Sequence, residues 1–445
     1  MDDKDLIIQE LRNYIRKLEA RITELERRLG LNSSNSSKPP SSDGLRKKPA
    51  PKSLRTKSGK KSGGQKGHEG STLEQVAHPD TTIEHTVSHC PNCARSLENV
   101  ASSHRIKRQV FDIPVPQIEV TEHQVLIKVC PCGHQVKGSF PEDVRAPAQY
   151  GSRIRGLAPY LMHQQLIPED RLSDLFKDVF NVSITPASLV TMGKTLSKQL
   201  KSWTDDLKIH LQSAPVKNLD ETGFRIGGKT SWLHVQGTQS ETFYRASQKR
   251  GDVPEDLTGV VVHDHFKSYY SRLKGAVHSL CNAHHLRELK ALEENEKEPW
   301  AFKMSKLLRF SNRCQAPPVS RIFALYDRIV EEGLDFHETQ TALESKSRGR
   351  EKRRIGHNLL IRLRDYRQDV LRFLTHKDVP FTNNLAEQDV RMMKVKQKIS
   401  GGFRTFEGAA IFCTLRSFFS TCRKRDVNIF SAITQTLQGQ NPIAF

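Results

Sequence analysis

The stretch from residue 32 to 70 constrains this chain most. It reads Asn-Ser-Ser-Asn-Ser-Ser-Lys-Pro-Pro-Ser-Ser-Asp, then a basic run, then Gly-Gly-Gln-Lys-Gly-His-Glu-Gly. It offers almost no apolar surface, so it cannot offset the entropy of ordering itself, and it divides the chain into separately folded parts. Arg46, Lys47, Lys48, Lys52, Arg55, Lys57, Lys60 and Lys61 follow one another without an intervening acid. Such a cationic arm lies readily along a phosphate backbone; a plain solvated linker has the same composition. The bias extends to the whole chain, whose 445 residues carry a formal net charge of +20. That excess favours a polyanionic partner.

Before this stretch, Ile8, Leu11, Ile15, Leu18, Ile22, Leu25 and Leu29 are spaced alternately by three and four. Ile and Leu alternating along so narrow a seam read as a parallel two-stranded coiled coil, against the plainer reading of an amphipathic helix packed on its own chain. After it come two close cysteine pairs, Cys90-Pro-Asn-Cys93 and Cys130-Pro-Cys132-Gly-His134. Residues 106–118 and 120–129 between them alternate in a strand-like manner. Cysteine-bearing turns joined by strands describe a zinc-ribbon-like module with a structural ion. Its ligands would be Cys90, Cys93, Cys130 and Cys132, with His134 as the alternative to Cys132. The remaining cysteines are scattered, which speaks against a disulfide framework.

Farther on, an amphipathic helix from Arg171 to Phe180 and a second from Leu189 to Leu200, opened by Thr185 and Pro186, form a helix pair. The pair reads either as a helix-turn-helix or as two helices that merely pack. From Val216 the pattern turns to strands. Val216–Ile226, a Gly227-Gly228 turn, Ser231–Gly237 and Glu241–Ala246 make an antiparallel meander. Gly259–His263 and Val277–Cys281 add two more strands, a helix follows from Ala283 to Leu292, residues 295 to 380 read as largely helical, and two helices flank Gly401-Gly402. This order matches an α/β, RNase H-like catalytic domain with a mixed sheet.

The expected divisions are a coiled-coil helix at 1–31, a basic linker at 32–75 and the zinc-ribbon-like module at 76–145. A helical part at 146–212 follows, then the catalytic domain at 213–425 with a helical insertion at about 295–380, and a tail at 426–445. No apolar run is long enough to span a bilayer, and the start of the chain lacks a signal-peptide core, so a cytoplasmic, nucleoid-associated protein is expected.

Three acids stand out by position. Asp220 lies in the first strand of the meander, Asp264 follows the fourth strand, and Glu387 lies near the start of a helix that Asn383 or Asn384 caps. Carboxylates are the hard oxygen ligands that magnesium or manganese prefers, and phosphoryl transfer on DNA uses paired ions of this kind. Each acid also has a plainer reading: Asp220 as a strand-end turn residue, Asp264 as a helix cap, Glu387 as a solvated first-turn acid with Asp389 as its rival. Glu221 should face away from Asp220. Arg391 shares the face of Glu387, and Lys394, Lys396, Lys398 and Arg404 trail behind it, a cluster suited to phosphates. Cys281-Asn-Ala-His284 reads either as a catalytic zinc pair or, preferably, as a structural brace for the fifth strand.

These motifs together resemble the insertion-sequence-66 transposases, a branch of the DDE group. The likeness runs through the heptad start, the serine-asparagine run at 32–43, Gly-Gly-Gln-Lys-Gly-His at 63–68, the cysteine pairs, Asp220-Glu-Thr-Gly, Cys281-Asn-Ala-His and Thr382-Asn-Asn-Leu-Ala-Glu-Gln-Asp-Val-Arg391. The close Cys130–Cys132 spacing and the His263, His265 and Phe266 flanks of Asp264 depart from the family pattern. The resemblance implies an RNase H-like domain with Asp220, Asp264 and Glu387 as the metal-binding triad, an N-terminal zipper, a zinc module and binding to terminal inverted repeats. DNA ends and target, a second copy of the chain and element-encoded accessory proteins are the implied partners. The competing readings are a non-catalytic zinc-ribbon DNA-binding regulator derived from a transposase, and a nuclease that cuts without joining.

Overall fold

The structure, a computed structural model, describes residues 72–340 and 353–445, Gly67, Gly70 and scattered positions between 7 and 25. The described positions of that first segment are helical, and their seam residues Ile8, Leu11, Ile15, Leu18, Ile22 and Leu25 are all exposed. Leu29 and the cationic run Arg46–Lys61 lie outside the described residues.

The cysteine region holds less β-structure than expected. Its only hairpin among the described residues is β1 (Ile127–Val129) with β2 (Gln135–Lys137). Residues 106–118 form no strand. Alternation makes a strand only where a partner supplies the ladder, and Pro114 and Pro116 remove two donors from this stretch. The chain is tied locally instead, by the Gln109 side-chain amide bonded to the backbone N–H and carbonyl of Val76.

Helices α1 (Ser152–Pro159), α2 (Glu169–Phe180), α3 (Pro186–Gln199) and α4 (Lys201–Ser213) come next. Thr185 caps α3 as expected, its hydroxyl accepting from the Ser188 N–H at 3.2 Å. α2 ends at Asn181 in the left-handed region, φ 51°, where an Asn is tolerated. Leu172, Phe176, Ile184, Leu189 and Met192 bury against Ala158 and Met162 of α1 and the π-helical turn after it.

The central sheet is mixed and five-stranded. Its strands are β3 (Val216–Ile226), β4 (Lys229–Gly237), β5 (Thr242–Ser247), β6 (Val260–His263) and β7 (Val277–Leu280), in spatial order β5-β4-β3-β6-β7. β3 pairs antiparallel with β4 through the Gly227-Gly228 turn, where both glycines have positive φ, and β4 pairs antiparallel with β5. β6 pairs parallel to β3, and β7 parallel to β6. α5 (Lys267–Arg272) and α6 (Asn282–Ala291) flank β7 in sequence. The insertion that follows comprises α7 (Pro299–Arg313), α8 (Val319–Glu338), α9 (Ile355–Asp365) and the short α10 (Arg367–Val370) and α11 (Arg372–Thr375). Its Trp300, Met304, Leu308, Tyr326 and Leu360 share one core with Leu280 of β7 and Leu286 and Leu289 of α6.

α12 (Asn384–Ser400) and α13 (Phe406–Lys424) return to the sheet, and α14 (Ile429–Leu437) completes the chain. Phe224, Leu233, Val235 and Tyr244 on one sheet face pack against Val390, Met393, Phe412 and Cys413. Leu219 and Val261 on the other face meet Tyr269 and Leu273. Leu196, Leu200, Trp203 and Leu207 share a core with Leu415, Phe418, Phe419 and Ile433. The helices before the sheet are therefore packed onto the helices after it.

Candidate active site

Asp220 sits in β3 two residues beyond Asn218, where the parallel ladder to β6 ends. Asp264 is the first residue after β6. β3 runs on past this point while β6 stops at His263, and the parallel register of Asn218 with Val262 sets Asp220 and Asp264 side by side at the end of β6. Each is braced by the backbone: an Asp220 oxygen accepts from the Glu221 N–H at 2.9 Å, and an Asp264 oxygen from the Phe266 N–H at 3.1 Å.

Glu387 reaches the same place from α12. Asn383 directs it there. Although Asn383 occupies the N-cap position, its side chain makes no capping bond. It is 2% exposed and turned into the sheet. Its Oδ1 accepts from the Asn218 amide at 2.8 Å, and its Nδ2 donates to the Leu219 carbonyl at 2.6 Å. The start of α12 is thus pinned to the residues that immediately precede Asp220. The expected capping role of Asn383 is corrected in this way.

The electrostatics follow from the crowding. Burial holds the Asp220 carboxyl well above the usual range, and the charges of Glu221, Asp264 and Glu387 push it the same way. Asp264 is raised to about 6, by burial first and then by Glu221 and Glu387. One oxygen of Glu387, Oε1, is buried with no hydrogen-bond partner, and Arg287 stands 3.8 Å from Oε2. Like charges held together in a low-dielectric place destabilise one another unless protons or cations join them. The three acids, one with an unpartnered buried oxygen, are of the hard oxygen type that a divalent ion of the magnesium class prefers. Among the described residues, however, their ligand atoms do not all lie within 4.8 Å of one another.

Glu221 does turn to the opposite face, as strand alternation requires. There it is buried, accepting from the Tyr269 hydroxyl at 2.5 Å and from Arg250 at 2.7 Å. Arg250 also lies over the Phe266 ring at 4.1 Å. A cavity of about 250 Å³ opens beside Asp264, lined among others by Arg250, His265, Cys281, His284 and Arg362. Cys281 is buried and its Sγ accepts from the Asn383 N–H at 3.1 Å.

A family model described as Transposase IS66 family matches residues 148–411, more than half of the chain. This chain belongs to the IS66 transposase family. A second model, a family of unknown function (DUF6444), matches residues 2–74. An uncharacterized protein, y4jO of Sinorhizobium fredii (strain NBRC 101917 / NGR234), is 35% identical over 66 residues, which is 15% of this chain and 21% of that relative. The chain thus spans about a fifth of the length of the curated relative it matches.

In this member of the IS66 transposase family, the cations beyond Glu387 divide by helix phase. Arg391, Lys398 and Arg404 are exposed. Lys394 and Lys396 correct the expectation. The Lys394 ammonium donates to the Gly223 carbonyl at 2.7 Å, and Lys396 is buried with its ammonium over the Phe403 ring. Both are turned toward the sheet, where they brace α12. Asp389, the rival acid, is taken by Lys424 at 2.8 Å and the Thr242 hydroxyl at 3.1 Å.

The four cysteines of the supposed zinc module stand as two turns. The Cys90 sulfur accepts a hydrogen bond from the Cys93 thiol, and Cys132 from Cys130, all four remaining free thiols. Among the described residues, the group of three or more metal-capable side chains with mutually close ligand atoms is Cys281, His284 and Glu387. The cysteine quartet, with or without His134, is not such a group. Sequence reasoning missed Asn218, Asn383, Arg250 and Tyr269 as site builders. The Thr-Asn-Asn-Leu-Ala-Glu motif carried the signal for Asn383, but a local cap was the simpler use for an asparagine there.

Proposed function

We propose that this protein is the transposase of an insertion sequence, binding the element's terminal inverted repeats and catalysing DNA cleavage followed by strand transfer. The sheet order, with three antiparallel strands and two parallel ones beyond the first, supports an RNase H-like reading of the catalytic domain. The observation that carries the proposal is that Asp220, Asp264 and Glu387, from three separate elements, lie near enough for the charge of Glu387 to act on both aspartates, while its Oε1 is buried and unpartnered.

In this reading Asp220, on the central strand, Asp264 and Glu387 would together hold magnesium or manganese. The ions supply charge neutralisation and activation of the attacking oxygen. The chain's own residues supply position. Asn383 fixes Glu387 relative to Asp220, and the Phe266 N–H orients Asp264. Arg391, Lys398 and Arg404 lie exposed to receive phosphates, and the cationic run Arg46–Lys61 adds non-specific hold. The zinc reading requires the Cys90–Cys93 and Cys130–Cys132 turns to close on one ion. Self-association through the N-terminal seam and a place in the bacterial cytoplasm belong to the same proposal. No helix among the described residues is long and apolar enough to cross a membrane.

The test is an assay with purified protein, labelled element-end DNA, target plasmid and magnesium, run beside Glu387→Gln. Metal-dependent joined products that vanish in the variant support the proposal. Cleavage without joining would reduce it to a nuclease. Binding with no chemistry from either protein would overturn the catalytic reading in favour of a DNA-binding regulator.

A further inference from the structure

Glu387 faces a second set of ligands that a magnesium site does not explain. Cys281 closes β7 and forms the N-cap of α6, and His284 lies in the first turn of that helix, three residues on. Spacing of three on a helix puts two side chains on one face. Glu387 arrives from the first turn of α12. The Cys281 Sγ, a His284 ring nitrogen and a Glu387 carboxylate oxygen all lie within 4.8 Å of one another.

Two of these groups are left with buried polar atoms unsatisfied: His284 Nδ1 and Glu387 Oε1 have no hydrogen-bond partner. Buried donors and acceptors are nearly always paired, so orphans of this kind mark a place where something else binds. A hard ion held by Asp220, Asp264 and Glu387 would account for the carboxylate oxygen. It would not account for the imidazole, nor for the thiol beside it. Sulfur and nitrogen with one carboxylate form the donor set of a borderline-soft cation, held by three protein ligands with a fourth position open. The Asn383 N–H donates to Sγ as outer-shell donors do at such sites. Burial and the charge of Glu387 push the metal-free thiol up to about 11, so an entering cation would have to displace its proton. The cavity beside Asp264, which Cys281 and His284 line, supplies the entry path and the room for the open position.

We propose that Cys281, His284 and Glu387 bind a thiophilic divalent cation of the zinc class. Ligand separations around tetrahedral zinc are roughly 3.4–3.8 Å, so closing the site needs side-chain movements of about an ångström. The thiol proton leaves to solvent as the ion enters, and nothing is oxidised or reduced. Glu387 would then belong to two mutually exclusive ion sites. A soft cation draws it toward Cys281 and His284 and away from Asp220 and Asp264. The binding claim stands on its own geometry, while its consequence for DNA cleavage rests on the function proposed above.

The deciding experiment titrates cobalt(II) into the purified full-length chain, freed of metal, in excess magnesium. Thiolate-to-cobalt charge transfer is the readout, and wild type is compared with Cys281→Ser and His284→Gln. The cysteine turns at 90–93 and 130–132 are common to all three proteins and cancel. We expect wild type to bind one more thiolate-coordinated cobalt than Cys281→Ser, and His284→Gln to bind that ion at least about 10-fold more weakly. His284→Gln keeps the thiol and the β7–α6 junction, so the comparison stands even where Cys281→Ser fails to fold. Equal stoichiometry and unchanged affinity across the folded proteins would overturn the proposal. Cobalt should also suppress magnesium-dependent cleavage by wild type more than by His284→Gln. A protein with no cleavage to suppress would count against the strand-transfer reading, while the cobalt difference still decides this site.

Discussion

Asp220 and Asp264 show at the residue scale how a site is recognised by what it costs. A carboxylate in a buried place among other carboxylates is destabilising when ionised. A cation bound there would reverse the sign. Asp264 gives the clearest pH prediction. Its folded value, about 6, lies above the ordinary 3.8. The stability it confers is therefore complete below about pH 4 and is lost as pH rises through about 6. In metal-free protein, Asp264→Asn should raise the melting temperature near neutral pH by roughly 2–6 °C and leave it unchanged below about pH 4. Thermal melts at the two pH values check this, and an equal shift at both would mean that packing, not charge, is responsible. Added magnesium should narrow the neutral-pH difference by stabilising wild type more than the variant. Asp220→Asn should lower cleavage at least about 1,000-fold while changing end binding little. Cleavage and filter-binding assays on one preparation separate these effects, and joint loss of both would point to a folding role.

Asn383 governs the matter at the scale of elements. The helix α12 could satisfy its own first turn with this side chain, yet the amide is committed to Asn218 and the Leu219 carbonyl. Its backbone N–H meanwhile faces Cys281 Sγ. One residue therefore ties β3, the β7–α6 junction and α12 together. Asn383→Ala leaves the Asn218 amide without its partner and should cost about 1–3 kcal/mol, read as a shift of the urea midpoint. Cleavage should fall by more than stability explains, because Glu387 loses its fixed distance from Asp220. A variant that is destabilised but fully active at low temperature would show that α12 is held by its apolar face alone. The phase of α12 also explains why a basic run is not a basic surface. Lys394 and Lys396 fall on the sheet side of the helix, and Arg391 and Lys398 on the outside. Gly402 makes the return possible, since a Cβ there would lie 2.4 Å from the Arg225 carbonyl oxygen. That close approach lets Phe403 bridge to Ile226 beside β3.

For the whole molecule, the exposed seam at the start of the chain is the feature that no other described part of the protein covers. The seam side chains Ile8, Leu11, Ile15, Leu18, Ile22 and Leu25, each at a described helical position, are exposed. Burying them against a second copy would stabilise each by the usual apolar transfer term, on the order of 1–2 kcal/mol per side chain. Leu11→Lys combined with Leu18→Lys should convert a dimer to a monomer in sedimentation equilibrium and leave the melting of the folded body unchanged. A wild-type monomer at all concentrations would refute the seam as a dimer contact. At this scale too, the helices before the sheet and those after it share a core through Trp203, Leu207, Phe418 and Ile433, so a cut near residue 212 should expose apolar surface rather than release a domain.

Much of this was legible in the sequence because it is written in local periodicity. The seam, the meander with its Gly-Gly turn, the Thr185 cap and the strand positions of Asp220 and Asp264 each follow from spacings of a few residues. The strands expected at 106–118 failed because a strand needs a partner ladder, which alternation cannot supply. The direction of Lys394 and Lys396 was hidden for a related reason: helix phase is fixed by which face finds the sheet. The sequence by itself determined the element order, the Gly-Gly turn, and that Asp220 lies within a strand and Asp264 just after one. Only the tertiary structure decided that the charge of Glu387 acts on those acids and that Glu387 lies within 4.8 Å of Cys281 and His284, because these groups come from elements far apart in the chain and their proximity depends on packing across the sheet.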